Sequence, residues 1–156
     1  MIASLSYGYN VDISLMQLAG AYAAIANSGI KQPITLKKIE TESLDGIRIL
    51  SEEASGEIMS MLEKVAIRGA PLAKINGYRI GGKTGTAQIA AANYSSDRHN
   101  AIFVGVVPLS QPKLSIAVIV NEPRGEEYYG GRVAAPVFSE IGSHSLRLLG
   151  IAPDDK

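Results

Sequence analysis

The chain has 156 residues, enough for one hydrophobic core, and its 15 basic and 15 acidic side chains cancel to no net charge. That balance, with no clustered basic face, excludes a nucleic-acid surface, and the lack of cysteine excludes a disulfide frame, a thiolate zinc site and a Cys nucleophile. No apolar run reaches the roughly 18 residues of a membrane span, and no signal peptide opens the chain. Residues 1–6 begin without a structural element, as expected of a segment cut from a longer chain.

Ser14 and Gln17 form a capping-box pair, and the run from Leu15 to Asn27 places Leu18, Tyr22 and Ile25 near helical spacing. Asn27-Ser28-Gly29 ends this helix, with Gly29 as its left-handed residue. Pro33 to Ile39 reads as a strand and Asp45-Gly46 as a turn. A second helix is predicted from about Glu52 to Ala66. Ser51 is its N-cap, Glu52 and Glu53 favour its positive end, and Ile58, Leu62 and Val65 form its apolar stripe. Gly69, Pro71 and Asn76-Gly77 then mark a loop from Arg68 to Gly77. Three strands follow, Tyr78 to Gln88, Ala101 to Val107 and Leu114 to Val120, and one antiparallel sheet is expected of them because a Pro-bounded turn joins the last two. Glu122 to Gly131 reads as a loop and Ala135 to Leu149 as a final helix.

Two chemistries compete for Gly81-Gly82-Lys83-Thr84-Gly85-Thr86-Ala87. With Gly77, the segment satisfies the phosphate-binding pattern Gly77-x-x-x-x-Gly82-Lys83-Thr84, the mark of an NTP-binding protein. That loop must leave a buried apolar strand and enter a helix, so that N–H groups and the helix dipole cradle phosphate. Here Leu72-Ala73-Lys74-Ile75-Asn76 precedes it, Tyr78-Arg79-Ile80 would fill its interior, and Gly85 would weaken the helix. As an edge strand the same residues do different work. Lys83 brings a cation to a carboxylate, Thr84 and Thr86 offer hydroxyls, and the Thr86 N–H serves as half of an oxyanion hole. An extended peptide can add to such an edge, so a non-catalytic interaction module is a third reading. Taken alone, a bare Lys-Thr-Gly triplet reads first as a glycine-rich edge strand with a solvated lysine, and only its context speaks for chemistry.

The context is an ordered series of segments. Tyr7-Gly8-Tyr9 leads to Leu15-Met16-Gln17-Leu18-Ala19 and then Ala21 to Gly29. Gly82 to Gln88, Phe103 to Pro108 and Val118 to Pro123 follow, and Tyr128-Tyr129-Gly130-Gly131 leads to Ala134-Ala135-Pro136-Val137-Phe138. In this order they resemble the C-terminal part of the transpeptidase domain of class B penicillin-binding proteins, in particular the division-specific FtsI-type group. The resemblance implies an α/β fold of the penicillin-binding and serine β-lactamase type, an antiparallel sheet flanked by helices, with residues 1–156 as the C-terminal portion of that domain. It implies a periplasmic, inner-membrane parent that cross-links peptidoglycan stem peptides ending in D-Ala-D-Ala, binds β-lactam antibiotics, works with divisome proteins and needs no cofactor or metal. It also makes Lys83, Thr84, Gly85 and Thr86 the catalytic strand, with Lys83, Thr84, Thr86, Tyr128 and Tyr129 meeting the substrate. Tyr128 and Tyr129 read equally well as core aromatics.

The family's Ser-x-x-Lys nucleophile and Ser-x-Asn element are expected in an upstream half of the domain. No Ser-x-Asn occurs here, and both Ser-x-x-Lys matches fail physically, since Ser and Lys must lie one helical turn apart on one face. Ser28-Gly29-Ile30-Lys31 straddles a helix end, and Ser110-Gln111-Pro112-Lys113 contains a proline in a turn. The chain alone is therefore expected to be inactive, with an open apolar wall where the upstream half packs. His99 and His144 lack metal-ligand spacing and read as surface or capping residues. Asn93-Tyr94-Ser95 is a sequon of no consequence in a bacterial family, and Asp97, Arg98, Glu126 and Glu127 read as solvated loop charges.

Overall fold

The computed structural model describes residues 12–37, 45–89 and 98–155, so the expectations for residues 1–9, 93–95 and Asp97 lie outside the described chain. Helix α1 (Leu15–Ala26) opens with the expected box: Ser14 Oγ accepts the Gln17 N–H at 3.1 Å, and Gln17 Oε1 accepts the Ser14 N–H at 2.8 Å. Its exit takes two left-handed residues rather than one, Ser28 (φ 52°) and Gly29 (φ 80°), with the Gly29 N–H closing on Ala24 O at 2.9 Å. Glycine is required at the second, because a Cβ there would meet Leu50 O at 2.3 Å.

Strands β1 (Ile30–Lys31) and β2 (Ile47–Arg48) form a short antiparallel pair. This replaces the strand expected at Pro33 to Ile39. Residues 33–37 are not in a ladder: Pro33 has no N–H to give, and Thr35 Oγ1 takes the Lys37 N–H at 3.1 Å, turning the chain. Residues 38 and 39 lie outside the described chain, and Asp45-Gly46 runs into β2 without forming the expected turn. Helix α2 (Glu52–Gly69) is capped by Ser51 Oγ on the Ala54 N–H at 3.1 Å and continues past Ala66 to take in Arg68, whose charge suits a helix C-terminus. A 3₁₀ turn (Pro71–Ala73) follows.

Strands β3 (Gly81–Gln88), β4 (His99–Val107) and β5 (Leu114–Asn121) make the expected antiparallel sheet in the order β3-β4-β5. The strand β3 starts later than predicted, because the Tyr78 N–H turns back to Ile75 O at 3.1 Å. No helix follows Thr84, which removes the phosphate-loop reading: Gly82, Lys83 and Thr84 lie in strand β3 and do not lead into a helix whose N-terminus could cradle an anion.

Helix α3 (Gly130–Leu148) begins at Gly130 rather than near Ala135, so Gly130 and Gly131 leave the predicted loop. Pro136 imitates a helix start in the sequence but stands inside the helix. The true start is set by Tyr129 O, which accepts from Arg132 and Val133 at 2.8 and 3.0 Å. It is also set from outside the helix, by Thr86 Oγ1 accepting the Gly130 N–H at 3.1 Å.

The core lies between α3, α2 and the sheet. Phe103 of β4 and Phe138 of α3, both fully buried, meet with ring centroids 4.8 Å apart, flanked by Ala66, Ala70, Val107, Val118 and Leu146. Each buried phenyl contributes about 1.5–3 kcal/mol. Gly82 and Gly105 face each other across β3 and β4 and leave the rings their room, since a Cβ would stand 2.6 Å from Phe103 Cζ and 2.9 Å from Phe138 Cε2 respectively. Large apolar side chains stay exposed on α1 (Leu15, Met16), on α2 (Met61, Val65, Ile67) and at Leu72.

Residues 151–155 strap the start of β3 to the β4–β5 loop. The Tyr78 hydroxyl donates to Ile151 O, and Gly77 O accepts the N–H groups of Asp154 and Asp155, each at 3.0 Å. The Asp154 carboxylate accepts the Arg79 N–H at 2.8 Å and the Ser110 N–H at 3.0 Å. Partial burial pushes the Asp154 carboxyl up, but those bonds and the nearby Arg79 charge together outweigh it and hold the group below the usual carboxylate range. Arg79 also grips Glu63 of α2 through two bonds of 2.7 and 2.8 Å.

Candidate active site

The direction in which each β3 amide points follows from the pairing phase. The Ile89 N–H donates to Arg98 O at 2.9 Å, in register with the β3–β4 ladder, so 89 and 98 are a hydrogen-bonded pair. Alternation then makes Lys83–Val104, Gly85–Ile102 and Ala87–Asn100 the bonded pairs. The Glu122 N–H donates to His99 O at 2.9 Å, which commits the odd-numbered β4 residues to β5. The N–H and C=O groups of Thr84 and Thr86 therefore point away from β4, off the open edge of the sheet.

That edge borders a cleft of about 570 Å³, lined by Thr84 and Thr86, by Glu127, Tyr129, Gly130, Gly131 and Arg132 at the start of α3, and by Gly69, Pro71 and Leu72 at the end of α2. The positive end of α3 gives this wall a partial positive charge. Lys83 is exposed, and its Nζ reaches along the edge to Thr84 O at 2.9 Å, with Thr84 Oγ1 at 3.5 Å. Among the described residues no carboxylate pairs with it. The cleft edge thus offers an ammonium group, a hydroxyl and an outward N–H within four residues, the groups needed to hold an anionic chain end and a developing oxyanion.

Tyr129 stands on the cleft wall, 53% exposed, which removes the core reading for this residue. Tyr128 backs it in an aromatic stack, its ring 4.4 Å from Tyr129 and 4.3 Å from His99, with the two phenol oxygens 3.1 Å apart. His99 is thus the far end of an aromatic column, and His144 sits with Nδ1 2.8 Å from Glu140 O. The loop charges are partly paired, Arg98 with Glu122 at 2.6 Å and Glu127 with Arg132 at 3.6 Å. Ser28 lies beyond the end of α1, and Ser110 lies between β4 and β5 with its N–H on Asp154, so neither stands on a helix beside its lysine. Among the described residues no cluster of His, Asp and Glu suits a metal ion. A second cavity of about 330 Å³, between α2 and the strap, contains none of the expected site residues.

Sequence reasoning missed two features of this site. One is the use of Thr86 Oγ1 as the cap of α3, and the other is the aromatic column. The sequence signals were the Gly130-Gly131 pair, small enough for close backbone approach, and the Tyr128-Tyr129 pair beside it.

Comparison with known proteins gives a consistent result. The model for the penicillin binding protein transpeptidase domain matches residues 1–143. The chain is 37% identical over 155 residues to the peptidoglycan D,D-transpeptidase FtsI of Escherichia coli, covering 97% of this chain and 26% of that protein. It is 38% identical over 156 residues to FtsI of Buchnera aphidicola, covering 98% and 27%. The apo transpeptidase domain of Burkholderia pseudomallei penicillin-binding protein 3 superposes with a TM-score of 0.88 at 40% identity, over 97% of this chain and 47% of that one. The chain spans about a quarter of the length of the curated relatives it matches.

Proposed function

The chain belongs to the penicillin-binding protein transpeptidase family, and from that premise we propose that it is the C-terminal portion of the transpeptidase domain of a peptidoglycan D,D-transpeptidase, one that cross-links stem peptides in septal wall synthesis. The observation that carries this reading is the outward Thr86 N–H on an open edge strand, beside the hydroxyl of Thr84 and the ammonium of Lys83. In this mechanism a serine of the upstream half attacks the carbonyl between the two D-Ala residues of a stem peptide. Its Oγ–C bond forms, the C–N bond breaks, and the departing D-Ala amine takes the proton. An amine of a neighbouring strand then attacks the ester and releases the serine. The Thr86 N–H stabilises the oxyanion in both halves of the reaction, while Lys83 with the hydroxyls of Thr84 and Thr86 holds the donor's terminal carboxylate. Gly85 lets the substrate backbone approach, and Tyr128 and Tyr129 form the far wall. A β-lactam follows the first half-reaction, its ring nitrogen leaving in place of the amine.

The exposed apolar side chains of α1 and α2 support packing against that upstream half. The parent works at the periplasmic face of the bacterial inner membrane with divisome partners; among the described residues no helix is long and apolar enough to cross a membrane. The test is labelling by a fluorescent penicillin. The isolated chain stays unlabelled, and adding the upstream half, covalently or as a second chain, restores labelling. Stoichiometric labelling of Ser28 or Ser110 in the isolated chain would overturn the assignment. Peptide binding along β3 without acylation in the restored domain would favour the interaction module instead.

A further inference from the structure

The peptide unit between Gly85 and Thr86 carries two groups that point in opposite directions. Its C=O enters the β4 ladder, and its N–H leaves the open edge toward the cleft. Gly130, at the first position of α3, touches this unit from both of its ends. Its own N–H donates to Thr86 Oγ1 at 3.1 Å. Its Cα lies so close to the β3–β4 backbone that a Cβ would stand 2.5 Å from Gly85 O and 2.2 Å from Ile102 O. Both oxygens belong to a bonded pair, so neither can swing aside without opening the ladder. Gly130 is not among the residues with positive φ, so space, and not backbone conformation, demands glycine here. Gly131 extends the fit, with a Cβ falling 3.0 Å from Gly69 O and 3.3 Å from Thr84 Cγ2.

We infer that Gly130 is a positioning residue that fixes the angle of the Thr86 N–H, an inference that rests on the transpeptidase reading above. The side chain of Thr86 is anchored to the helix and its preceding carbonyl is held under Gly130, so the remaining group of the unit has one direction left to it. An added methyl needs about 1 Å more room to reach an ordinary C···O contact. A displacement of that size at a group acting on the transition state costs on the order of 10²-fold in rate.

The experiment uses the full-length parent and a fluorescent penicillin, with the acylation rate constant and the half-saturating concentration measured separately. Gly130→Ala is expected to lower the rate constant by on the order of 10- to 100-fold and to leave half-saturation within about twofold, the pattern of an interaction made only in the transition state. Equal rate constants for wild type and Gly130→Ala would overturn the positioning role while leaving the transpeptidase reading intact. A wild-type parent that is not labelled on serine would overturn both. If Gly130→Ala does not fold, Thr86→Val keeps the shape of the side chain but gives the Gly130 N–H no acceptor. It is expected to lose about 10-fold in the rate constant, most of it recovered by Thr86→Ser. A Thr86→Val effect confined to half-saturation would assign the hydroxyl to the ligand alone and overturn the inference.

Discussion

The two ends of strand β3 are built on opposite principles. Where the chain enters the strand, Arg79 gives its N–H to Asp154 and its guanidinium to Glu63, and Tyr78 is bonded to Ile151. Where the strand continues toward the cleft, Thr84 and Thr86 aim their amides off the sheet, and the external tie runs from Gly130 to a side chain. At the open end the N–H groups of Thr84 and Thr86 have no strand partner, so water or a ligand can supply the acceptor. Under the proposed function, the anchored end would help to hold the open end still, as an oxyanion donor requires before the charge arrives.

The comparison breaks most completely if the shared support is removed. Phe138→Ala in the intact transpeptidase domain is expected to cost about 3–5 kcal/mol, with both ends of the strand released together, read by chemical denaturation. A cost under about 1 kcal/mol would show that the two ends do not stand on one core. Lys83→Ala probes the open end alone. Acylation by a fluorescent penicillin in the parent is expected to fall by about 10²-fold, while stability changes by no more than about 0.5 kcal/mol. A stability loss of several kcal/mol would make Lys83 a structural residue instead.

Asp154→Ala probes the anchored end alone. It leaves the N–H groups of Arg79 and Ser110 without their acceptor and is expected to cost about 1–2 kcal/mol at neutral pH, with the acylation rate unchanged. An acylation loss as deep as that of Lys83→Ala would show that the ends are coupled. The smallest effect is on pH dependence. The folded Asp154 carboxyl titrates below its unfolded value of about 3.9, so its contribution is complete above that pH and fades as pH falls through the lower folded value. Hydrogen exchange at the Arg79 and Ser110 amides should therefore accelerate in acid, beyond the intrinsic trend, in wild type but not in Asp154→Asn.

What was legible in the sequence was local, and even there one member of the expected α2 stripe, Val65, stays exposed while Ser55 and Ala66 take the buried face. The Ser14 and Ser51 caps and the β-rich runs of the sheet each act within a few residues, and they appear as read apart from the later start of β3. The failures had distant or competing causes. Pro33 and the Thr35 turn overrode the strand propensity of Ile34 and Leu36. The start of α3 depends on Thr86, 44 positions earlier, and the strap depends on Asp154 reaching back 75 positions to Arg79. The same division holds for the site. Residue types named Lys83, Thr84 and Thr86, but whether an amide faces a neighbouring strand or the cleft depends on the phase of pairing. That phase is visible in the Ile89–Arg98 bond and not in any motif.

The reach of Lys83 along the edge has a consequence for how the protein behaves in a crowd of its own copies. An uncapped sheet margin is a template on which any extended chain can polymerise, and a short strand rich in small residues gives little steric protection. The ammonium group lying over Thr84 O guards that margin, since a second copy could add its strand only by stripping water from the charge or displacing it. The lysine that would receive a substrate's carboxylate would thus also weigh against self-pairing: another copy of β3 would bring a second ammonium group to the same margin, whereas a peptide ending in an anion would bring a partner for the first.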